Sequence, residues 1–484
     1  MKKLLSLSLV ASSLLLADTD IEQLKIQMDK QQLVIEKLLQ KIEKLENKPV
    51  YTKQIAIDVD NKATVTKEEV KNTKKKAPLA SKGKTFFQAA YMPDLSLIAD
   101  MSYVSRSVKD EFLPHLEVPG VAHGLMGSHG HDGNTHSPYN AKEGFNLNYA
   151  ELGLSKSVDQ NLKLDAIFHF SEDAVEIEEL YFTTTALGYG MRIKGGKFNS
   201  NFGYLNEQHH HYWSFADMPI VYEAFLGMHG INENGAQFQW TAPTETYLMI
   251  GAEALQGNNE QMFGNTGVHL EDLNSTNSNV NAVDAPSLFV GYVKSSFDVG
   301  DTTVLGGLSY AKGSSRVNHS TEEEDAHVFS GDSVLYGADL TVKHYFDSYS
   351  FLTWQSELLS RKMEGTIHDI DNTSKAATAS SMTKKQTGLY SQLVYAPNKS
   401  WQMGLRYDTI FKNDVIKGGN DTNQPRDLYQ YSGMIQYNTS EFARFRLQYN
   451  HNSAQYNEDG NKQDVNSLIF QVNLAIGAHG AHSF

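Results

Sequence analysis

The 484-residue chain contains no cysteine, which excludes a disulfide scaffold and any metal site built on thiolates. After Leu16 it also lacks an apolar run near the roughly 18 residues that a membrane-spanning helix needs, so any membrane span must be made of strands. It has no Gly-x-Ser-x-Gly and no His-Glu-x-x-His motif, which argues against an enzyme. The formal net charge of −15 argues against a nucleic-acid partner.

The N-terminus has the pattern of a cleavable export signal. Two lysines precede an apolar stretch from Leu4 to Leu16 that is too short to cross a bilayer. Ala17 is a small residue that suits cleavage after it. Residues 1–17 are therefore predicted to be a signal peptide, and the mature chain is predicted to be exported.

Residues 18–48 are predicted to form a periplasmic coiled coil, because apolar residues recur with heptad spacing. The first core position holds Ile21, Met28, Ile35 and Ile42, and the second holds Leu24, Gln31, Leu38 and Leu45. Thr19 and Glu22 have the spacing of a capping box, and Pro49 ends the helix. The alternative is a single amphipathic helix that lies on the membrane surface.

Residues 49–84 are predicted to be a lysine-rich linker, because they contain too few apolar residues to bury a core. The clustered lysines are Lys67, Lys71, Lys74, Lys75, Lys76, Lys82 and Lys84. One interpretation is a solvated spacer. The other is a basic segment that contacts acidic cell-wall polymer or lipid headgroups.

Residues 85–484 are predicted to form an all-β transmembrane barrel of about sixteen antiparallel strands. The predicted strands are 94–105, 144–156, 161–171, 175–185, 189–199, 234–242, 244–254, 286–296, 301–311, 333–345, 347–361, 386–396, 399–411, 427–438, 440–452 and 464–475. The connections after even-numbered strands are short and carry turn residues, whereas most of the others are long and polar. Short periplasmic turns and long external loops are typical of bacterial outer-membrane barrels.

Alternation within the strands indicates one face toward lipid and one toward water. Met403 and Leu405 alternate with Arg406, and aromatic residues such as Tyr395 and Trp401 bracket the short turns, where an interfacial girdle lies. The polar faces predict a wet lumen. The candidate lumen-directed charges are Arg192, Lys194, Arg406, Arg444 and Arg446, together with Glu176, Glu178 and Asp408.

The connection 200–233, predicted to be the third external loop, is unusually apolar. Tyr212, Trp213 and Phe215 belong to a set of large apolar side chains whose exposure to water would be unfavourable. A resemblance to general porins implies a loop that folds inward as a constriction, and the alternative is a folded extracellular cap. The run 216–227 is predicted to contain a short helix whose start is limited by Pro219.

Several short segments of the barrel carry a wider resemblance. They are Pro93-Asp94-Leu95-Ser96-Leu97-Ile98, Gly144-Phe145, Val175-Glu176-Ile177-Glu178-Glu179-Leu180-Tyr181, Gly196-Lys197-Phe198, Asn201-Phe202-Gly203, His209, His211, Trp213, Asp217-Met218-Pro219 and Gly477-Ala478-His479-Gly480-Ala481-His482. From about residue 93 onward the chain resembles a family of proteobacterial outer-membrane porin-like proteins. Some members of that family are described as zinc-linked outer-membrane receptors or porins, which implies a metal-related alternative.

Histidine placement bears on this alternative, since imidazole and carboxylate groups suit zinc, copper or nickel. The candidate ligands are His129, His131, Asp132 and His136 in the first long loop, and His209 and His211 beside the proposed constriction. The first loop is glycine-rich and has no fixed ligand spacing, which disfavours a tight structural site. Solvated surface histidines and a weak zinc-capture loop remain the two interpretations, and no other cofactor is predicted.

Three functional classes are compared. A passive channel for small hydrophilic solutes or ions needs only a wet lumen and a constriction. An energised receptor uses about 22 strands and an internal plug domain, which this chain does not match. A passive porin is therefore predicted over an enzyme, and a receptor or channel for a transition metal such as zinc is the runner-up.

The oligomeric state is predicted from two indications that disagree. Isoleucine and leucine at the two heptad positions favour a two-stranded coiled coil. Resemblance to porins implies three subunits, and Met28 and Gln31 weaken the two-strand pattern. A homotrimer surrounded by outer-membrane lipid is the prediction.

Overall fold

Sixteen long antiparallel strands form the body of the molecule. The computed structural model describes residues 93–123, 139–172, 174–259, 261–270, 279–320, 326–371, 373–374 and 376–477. The strands are β1 (Asp94–Arg106), β2 (Gly144–Ser157), β3 (Leu162–Phe170), β4 (Val175–Thr184), β5 (Met191–Asn199), β6 (Asn232–Thr241), β7 (Tyr247–Leu255), β8 (Leu288–Val299), β9 (Thr302–His319), β10 (His327–Tyr345), β11 (Phe351–Ile370), β12 (Ala377–Ala396), β13 (Trp401–Lys417), β14 (Leu428–Ser440), β15 (Ala443–Asn452) and β16 (Val465–Gly477).

The sheet closes on itself. Each strand pairs with its neighbours along the chain, and β1 pairs with both β2 and β16. Closure is seen in the register, where Ala99 lies opposite Ala150 on one side and Leu474 on the other. A closed barrel leaves no sheet edge unpaired, which is the condition for strands to cross a lipid bilayer.

Smaller elements lie in the connections. Glu117–Val118 and Ala122–His123 form a two-residue hairpin, and Asn420–Asp421 pairs with the end of β13. Two 3-10 turns span Asp110–His115 and His210–Tyr212, and the α-helix α1 spans Ile220–Leu226. Within the described residues, no helix is long and apolar enough to cross a membrane.

The outer face of the barrel is apolar, as the alternation predicts. Large side chains that point away from the lumen are exposed, among them Leu97, Phe182, Leu308, Leu358, Leu405, Ile435, Leu447, Phe470 and Leu474. Near the short turns, the rings of Tyr345 and Phe351 lie 6.0 Å apart and those of Trp401 and Tyr437 lie 4.8 Å apart. An apolar band with aromatic residues at the turns confirms the transmembrane barrel.

All sixteen predicted strands are present, but several extend further than predicted at the ends that lead into the long connections. β9 continues to His319 and β10 begins at His327, so most of the predicted loop between them is paired strand. β11 and β12 extend in the same way, to Ile370 and from Ala377. The strand ends were predicted from the alternation of apolar and polar residues. This alternation stops before the strand ends, whereas the backbone pairing of the hairpins continues beyond it.

The helix α1 lies where the sequence places it. Pro219 stands immediately before it, and its carbonyl accepts hydrogen bonds from the backbone of Tyr222 at 2.9 Å and Glu223 at 3.1 Å. Gly227 ends the helix with φ of 75°, a left-handed conformation that glycine adopts without steric cost. The predicted start limit at Pro219 is confirmed.

Several predictions fall outside the described residues. They are the signal peptide 1–17, the coiled coil 18–48, the linker 49–84, and the first-loop residues His129, His131, Asp132 and His136. These stay predictions from sequence.

Candidate functional site

The connection between β5 and β6, residues 200–231, crosses the inside of the barrel and is named the inner loop below. On one wall, Glu253 of β7 accepts a hydrogen bond from the backbone N–H of Asn201 at 3.0 Å. On another, Arg446 of β15 donates to the carbonyl oxygen of Trp213 at 2.8 Å. β7 and β15 are eight positions apart in the ring of sixteen, so these contacts lie on opposite walls. The inner loop therefore spans the lumen.

Apolar packing holds the loop against the wall. Phe202, Tyr222 and Phe225 are fully buried, and they belong to one core with lumen-facing residues such as Leu359 and Tyr390. Burial of a large apolar side chain stabilises by about 1.5–3 kcal/mol. Most of the large apolar side chains of this segment, whose exposure to water was predicted to be unfavourable, are thus buried inside the barrel.

Glu357 of β11 makes the most extensive polar contact with the inner loop. Its carboxylate accepts hydrogen bonds from the backbone N–H groups of Tyr204 at 2.8 Å and Leu205 at 2.9 Å. It also accepts from the hydroxyl of Tyr222 at 2.7 Å and from the hydroxyl of Tyr390. Four donors thus surround a carboxylate that is only 2 % exposed. We name this group the Glu357 clamp.

Asp217 anchors the loop to β13, β14 and β15. Arg406 lies 3.0 Å from one carboxylate oxygen, and the side-chain amides of Gln430 and Asn450 each donate to the other at 3.0 Å. Arg406 also donates to Asp408 at 2.9 Å. The loop therefore brings its own anion to a basic part of the lumen wall.

A third attachment, the His–Glu cluster, joins the inner loop to β2, β3 and β4. It consists of His169, His209, His211, Glu151, Glu178 and Glu179. His209 Nδ1 is 3.2 Å from Glu178 Oε2 and 3.8 Å from Glu151 Oε2, and His209 Nε2 is 3.0 Å from Glu179 Oε2. His169 Nε2 is 2.7 Å from Glu178 Oε2 and 3.3 Å from Glu151 Oε2. Three imidazoles thus face three carboxylates between the loop and the wall.

A β-bulge explains why two adjacent glutamates both take part. In the pairing of β3 with β4, Phe168 lies opposite Ile177 and Ile167 lies opposite Glu179, which leaves Glu178 unpaired between them. An extra residue in one strand turns its side chain toward the same face as its neighbour. The Ile177 side chain stays exposed on the lipid side, while Glu178 and Glu179 both reach the loop.

Burial and charge shift the titration of the loop's own groups. Burial lowers the pKa of His209, but Glu178 and Glu179 outweigh it and raise this pKa well above its ordinary value. Burial lowers the pKa of His210 to about 4, and its ring stacks on Tyr139 at 4.1 Å between ring centres. On α1, desolvation together with nearby Asp217 raises the pKa of Glu223 to about 8.

Many of the predicted lumen-directed charges lie on the lumen side, yet they contact protein instead of open water. Arg446 donates to Gln436 and Gln471, and Lys194 lies 4.5 Å above the ring of Tyr181. Four of these side chains are buried: Lys194, Arg406, Asp408 and Arg446. Arg444, Glu176 and Glu178 are half-buried, and Arg192 is exposed and bonded to Gln239. Many polar side chains on the lumen side of the wall therefore bind neighbouring wall residues or the inner loop.

The apolar residues singled out in the loop behave differently from one another. Trp213 and Phe215 are buried, and Phe215 lies 4.8 Å beneath the guanidinium of Arg406. Tyr212 is 37 % exposed and packs on His211 at 4.2 Å between ring centres. Of these three aromatic side chains, Tyr212 alone therefore retains substantial exposure.

Sequence reasoning did not include Glu151, His169 or Glu179 among the site residues. Glu151 lies directly opposite His169 in the pairing of β2 with β3, a relation that depends on register. One signal was present: the Glu178-Glu179 doublet interrupts the strand alternation and so points to a bulge.

Comparison with known proteins gives one close sequence relative. An uncharacterized protein of Aquifex aeolicus (strain VF5) is 46% identical over 401 residues, which cover 82% of this chain and 81% of that protein. The chain belongs to the family of this protein. No family model matches the sequence.

Several solved structures of outer-membrane proteins are similar to this chain, although their sequence identity to it is low. OmpT of Vibrio cholerae in its trimer form has a TM-score of 0.44 at 9% identity, with 79% of this chain and 98% of that chain covered. The outer-membrane channel DcaP of Acinetobacter baumannii has a TM-score of 0.41 at 10% identity, with coverage of 79% and 96%. An anion-selective porin from Comamonas acidovorans has a TM-score of 0.40 at 11% identity, with 79% of this chain and 98% of that chain covered.

Proposed function

We propose that this chain is an outer-membrane porin for passive diffusion of small hydrophilic solutes or ions, and not an enzyme. The closed barrel with an apolar outer face and a largely polar inner face supports a channel through lipid. The observation that carries the proposal is the inner loop, which binds Glu253 on one wall and Arg446 on the opposite wall. A segment in that position narrows the path through the barrel.

The same contacts favour a constriction over an extracellular cap. A cap would bury its apolar residues against other loops. The inner loop instead packs Phe202 and Phe225 with side chains of the strands, and its Asp217 reaches Arg406 on β13.

Single-channel conductance in planar bilayers tests this proposal. Deletion of residues 212–226 should raise the conductance, because it removes the part of the loop that contacts β13 to β15. A matched control deletes 458–461, which are exposed residues of another connection, and should leave the conductance unchanged. Reversal potentials in a salt gradient would then give the ion selectivity of the wider and the native channel.

A folding check makes the result decisive. Heat-modifiable electrophoretic mobility identifies folded barrels, and only these are compared. If the deletion does not fold, Asp217→Asn keeps the chain length and weakens the contact with Arg406, so it should increase open-channel fluctuations. Native conductance and noise in both folded variants would contradict a constriction made by the inner loop.

A second candidate function, a receptor or channel for a transition metal such as zinc, is favoured by the His–Glu cluster. The cluster places imidazole and carboxylate groups of His209 and Glu178 within the barrel. Flux into liposomes distinguishes the candidates, because a metal-selective channel would pass zinc and exclude sugars of similar hydrated size, whereas a passive porin would pass both.

We also propose a homotrimer in outer-membrane lipid, held partly by the periplasmic segment 21–48, with the lysine-rich linker 49–84 as a spacer that can contact acidic cell-wall polymer. Barrel packing is expected to dominate over the two-strand preference of the heptads. Chemical crosslinking of the mature protein with and without residues 21–48 should give trimers that weaken on deletion. Monomers in both cases would contradict this proposal.

A further inference from the structure

We propose that the His–Glu cluster binds one divalent transition-metal ion through Glu151 Oε2, Glu178 Oε2 and His209 Nδ1, and that this ion fastens the inner loop to the barrel wall. The link with the proposed porin function is that the ion would hold the proposed constriction, but the metal site itself does not depend on the inner loop being a constriction. Its own basis is the arrangement of ligand atoms on two strands and one loop.

The spacing of the three atoms fits one ion. They all lie within 4.8 Å of one another, and His209 Nδ1 is 3.2 Å and 3.8 Å from the two carboxylate oxygens. With metal–ligand bonds of about 2.1 Å, a tetrahedral ion separates its ligand atoms by roughly 3.4 Å. Small side-chain adjustments would therefore bring the three atoms around one centre.

The orientation of His209 supplies an independent reason. Its Nε2 is 3.0 Å from Glu179 Oε2, where an N–H donates to the carboxylate. In a neutral imidazole the Nδ1 lone pair then points at the Glu151 and Glu178 carboxylates, which are also acceptors. Three acceptors that converge are stabilised by a cation between them. A carboxylate on the second ring nitrogen is the usual arrangement for a metal-binding histidine.

The neighbouring groups define the type of metal. His169 Nε2 lies 2.7 Å from Glu178 Oε2, and His211 Nδ1 lies 3.3 Å from Glu151 Oε2, so further imidazoles adjoin the three ligands. Calcium and magnesium prefer oxygen ligands, whereas mixed imidazole and carboxylate sets suit zinc and its neighbours. Zn²⁺ is therefore the appropriate probe.

Burial indicates a resident ion instead of a transported one. The side chain of His209 is 1 % exposed and that of Glu151 is 5 % exposed, so the site lies in the contact between loop and wall. An ion there joins β2, β4 and the inner loop. The competing explanation is a network of protonated histidines paired with glutamates, without any metal.

The experiment uses the mature full-length barrel in detergent, stripped with a chelator, on a background in which the three first-loop histidines are alanine. Zinc per chain is measured by elemental analysis after titration and dialysis, and Co²⁺ is used as a spectroscopic substitute. Glu178→Gln and His209→Gln remove one ligand each. Glu253→Gln is the matched control, because Glu253 is a buried acid that binds the same loop through Ser200 and Asn201 without an imidazole.

We expect one zinc per chain in the background protein and in Glu253→Gln, with a visible Co²⁺ spectrum. Binding should be lost in Glu178→Gln and His209→Gln, and Glu179→Gln should weaken it by about 10- to 100-fold. Zinc should also slow proteolysis within the inner loop. If a ligand variant does not fold, zinc content and the Co²⁺ spectrum of the background protein decide the matter alone.

The metal site would be overturned if the folded background protein took up no zinc, or if Glu178→Gln took up as much zinc as the background protein. The explanation left would be protonated histidines paired with glutamates. Either result leaves the proposed porin intact, since conductance is measured separately. Conversely, a loop deletion without effect on conductance would remove the constriction but not the metal site.

Discussion

The two sides of the inner loop are held by carboxylates in different ways. On β11, Glu357 is surrounded by donors: two backbone N–H groups and two tyrosine hydroxyls. On β2 and β4, Glu151 and Glu178 face imidazole nitrogens, which are donors only when protonated. The Glu357 clamp is therefore complete once the chain has folded, whereas the His–Glu cluster needs protons or a metal ion.

This difference separates a permanent attachment from a conditional one. Backbone N–H groups and tyrosine hydroxyls keep their protons across the physiological pH range, so the donors of the Glu357 clamp should not depend on added metal. The His–Glu cluster should respond to chelators and to added metal. One attachment of the inner loop is thus expected to be fixed, and the other adjustable.

The largest expected effect follows from removal of the fixed attachment. Glu357→Ala leaves the N–H groups of Tyr204 and Leu205 and the hydroxyls of Tyr222 and Tyr390 without their acceptor. Loss of a buried acceptor for several donors is expected to lower the free energy of unfolding by about 3–5 kcal/mol. Urea unfolding of the refolded barrel in lipid vesicles measures this change.

The control for this substitution is on the same strand. Glu364 lies on β11 with its side chain 62% exposed, so Glu364→Ala should change the unfolding free energy by less than about 1 kcal/mol. If both substitutions lowered the free energy of unfolding equally, the contacts of the Glu357 clamp would not contribute specifically to stability.

The next effect tests the conditional attachment. If the proposed ion binds only the folded barrel, zinc at 100 times its dissociation constant should add about 2.7 kcal/mol to the free energy of unfolding. Glu178→Gln should abolish that gain, and Glu357→Gln should retain it, because Glu357 is outside the His–Glu cluster. A zinc gain of the same size in Glu178→Gln would show that the metal acts elsewhere on the chain.

The barrel was largely predictable because its pattern is local. Alternation at Met403, Leu405 and Arg406 identifies a strand and its two faces without knowledge of any partner. The ends of β9 and β10 were missed because pairing continues there with side chains that give no apolar alternation. Local patterns thus predict the strands well and predict poorly the strand ends that lead into the long connections.

The site was only partly predictable, since it depends on contacts between distant parts of the chain. His209 and Glu178 were each singled out, but their meeting requires both the inward path of the loop and the bulge in β4. Glu151 was missed because its role comes from register with His169. Glu357 was missed for a similar reason: its partners in the inner loop lie more than one hundred residues earlier in the chain.

A smaller effect concerns pH and the helix α1. The pKa of Glu223 is raised from its ordinary 4.5 to about 8, because desolvation and Asp217 favour the protonated acid. A raised pKa means that its contribution to stability is fully present below pH 4.5 and is lost as the pH rises through about 8. Open-channel noise should therefore increase over this interval.

Glu223→Gln is the matched test, because the amide has nearly the same shape and does not titrate. The variant should have low noise at both ends of the interval. Noise that rises with pH as much in Glu223→Gln as in the native protein would assign the dependence to another group.

The smallest expected effect comes from replacing the first-loop histidines, and it distinguishes their zinc binding from that of the His–Glu cluster. His129, His131 and His136 lie in a glycine-rich stretch outside the described residues, so weak zinc uptake there stays a prediction from sequence. Replacement of all three by alanine should remove the low-affinity part of a calorimetric zinc titration and leave the unfolding free energy and the tighter site unchanged. The reason is that the tighter site is built from His209 and from residues of β2 and β4, none of which is replaced. Identical titrations before and after the triple replacement would mean that these three histidines are solvated surface groups that take up no zinc.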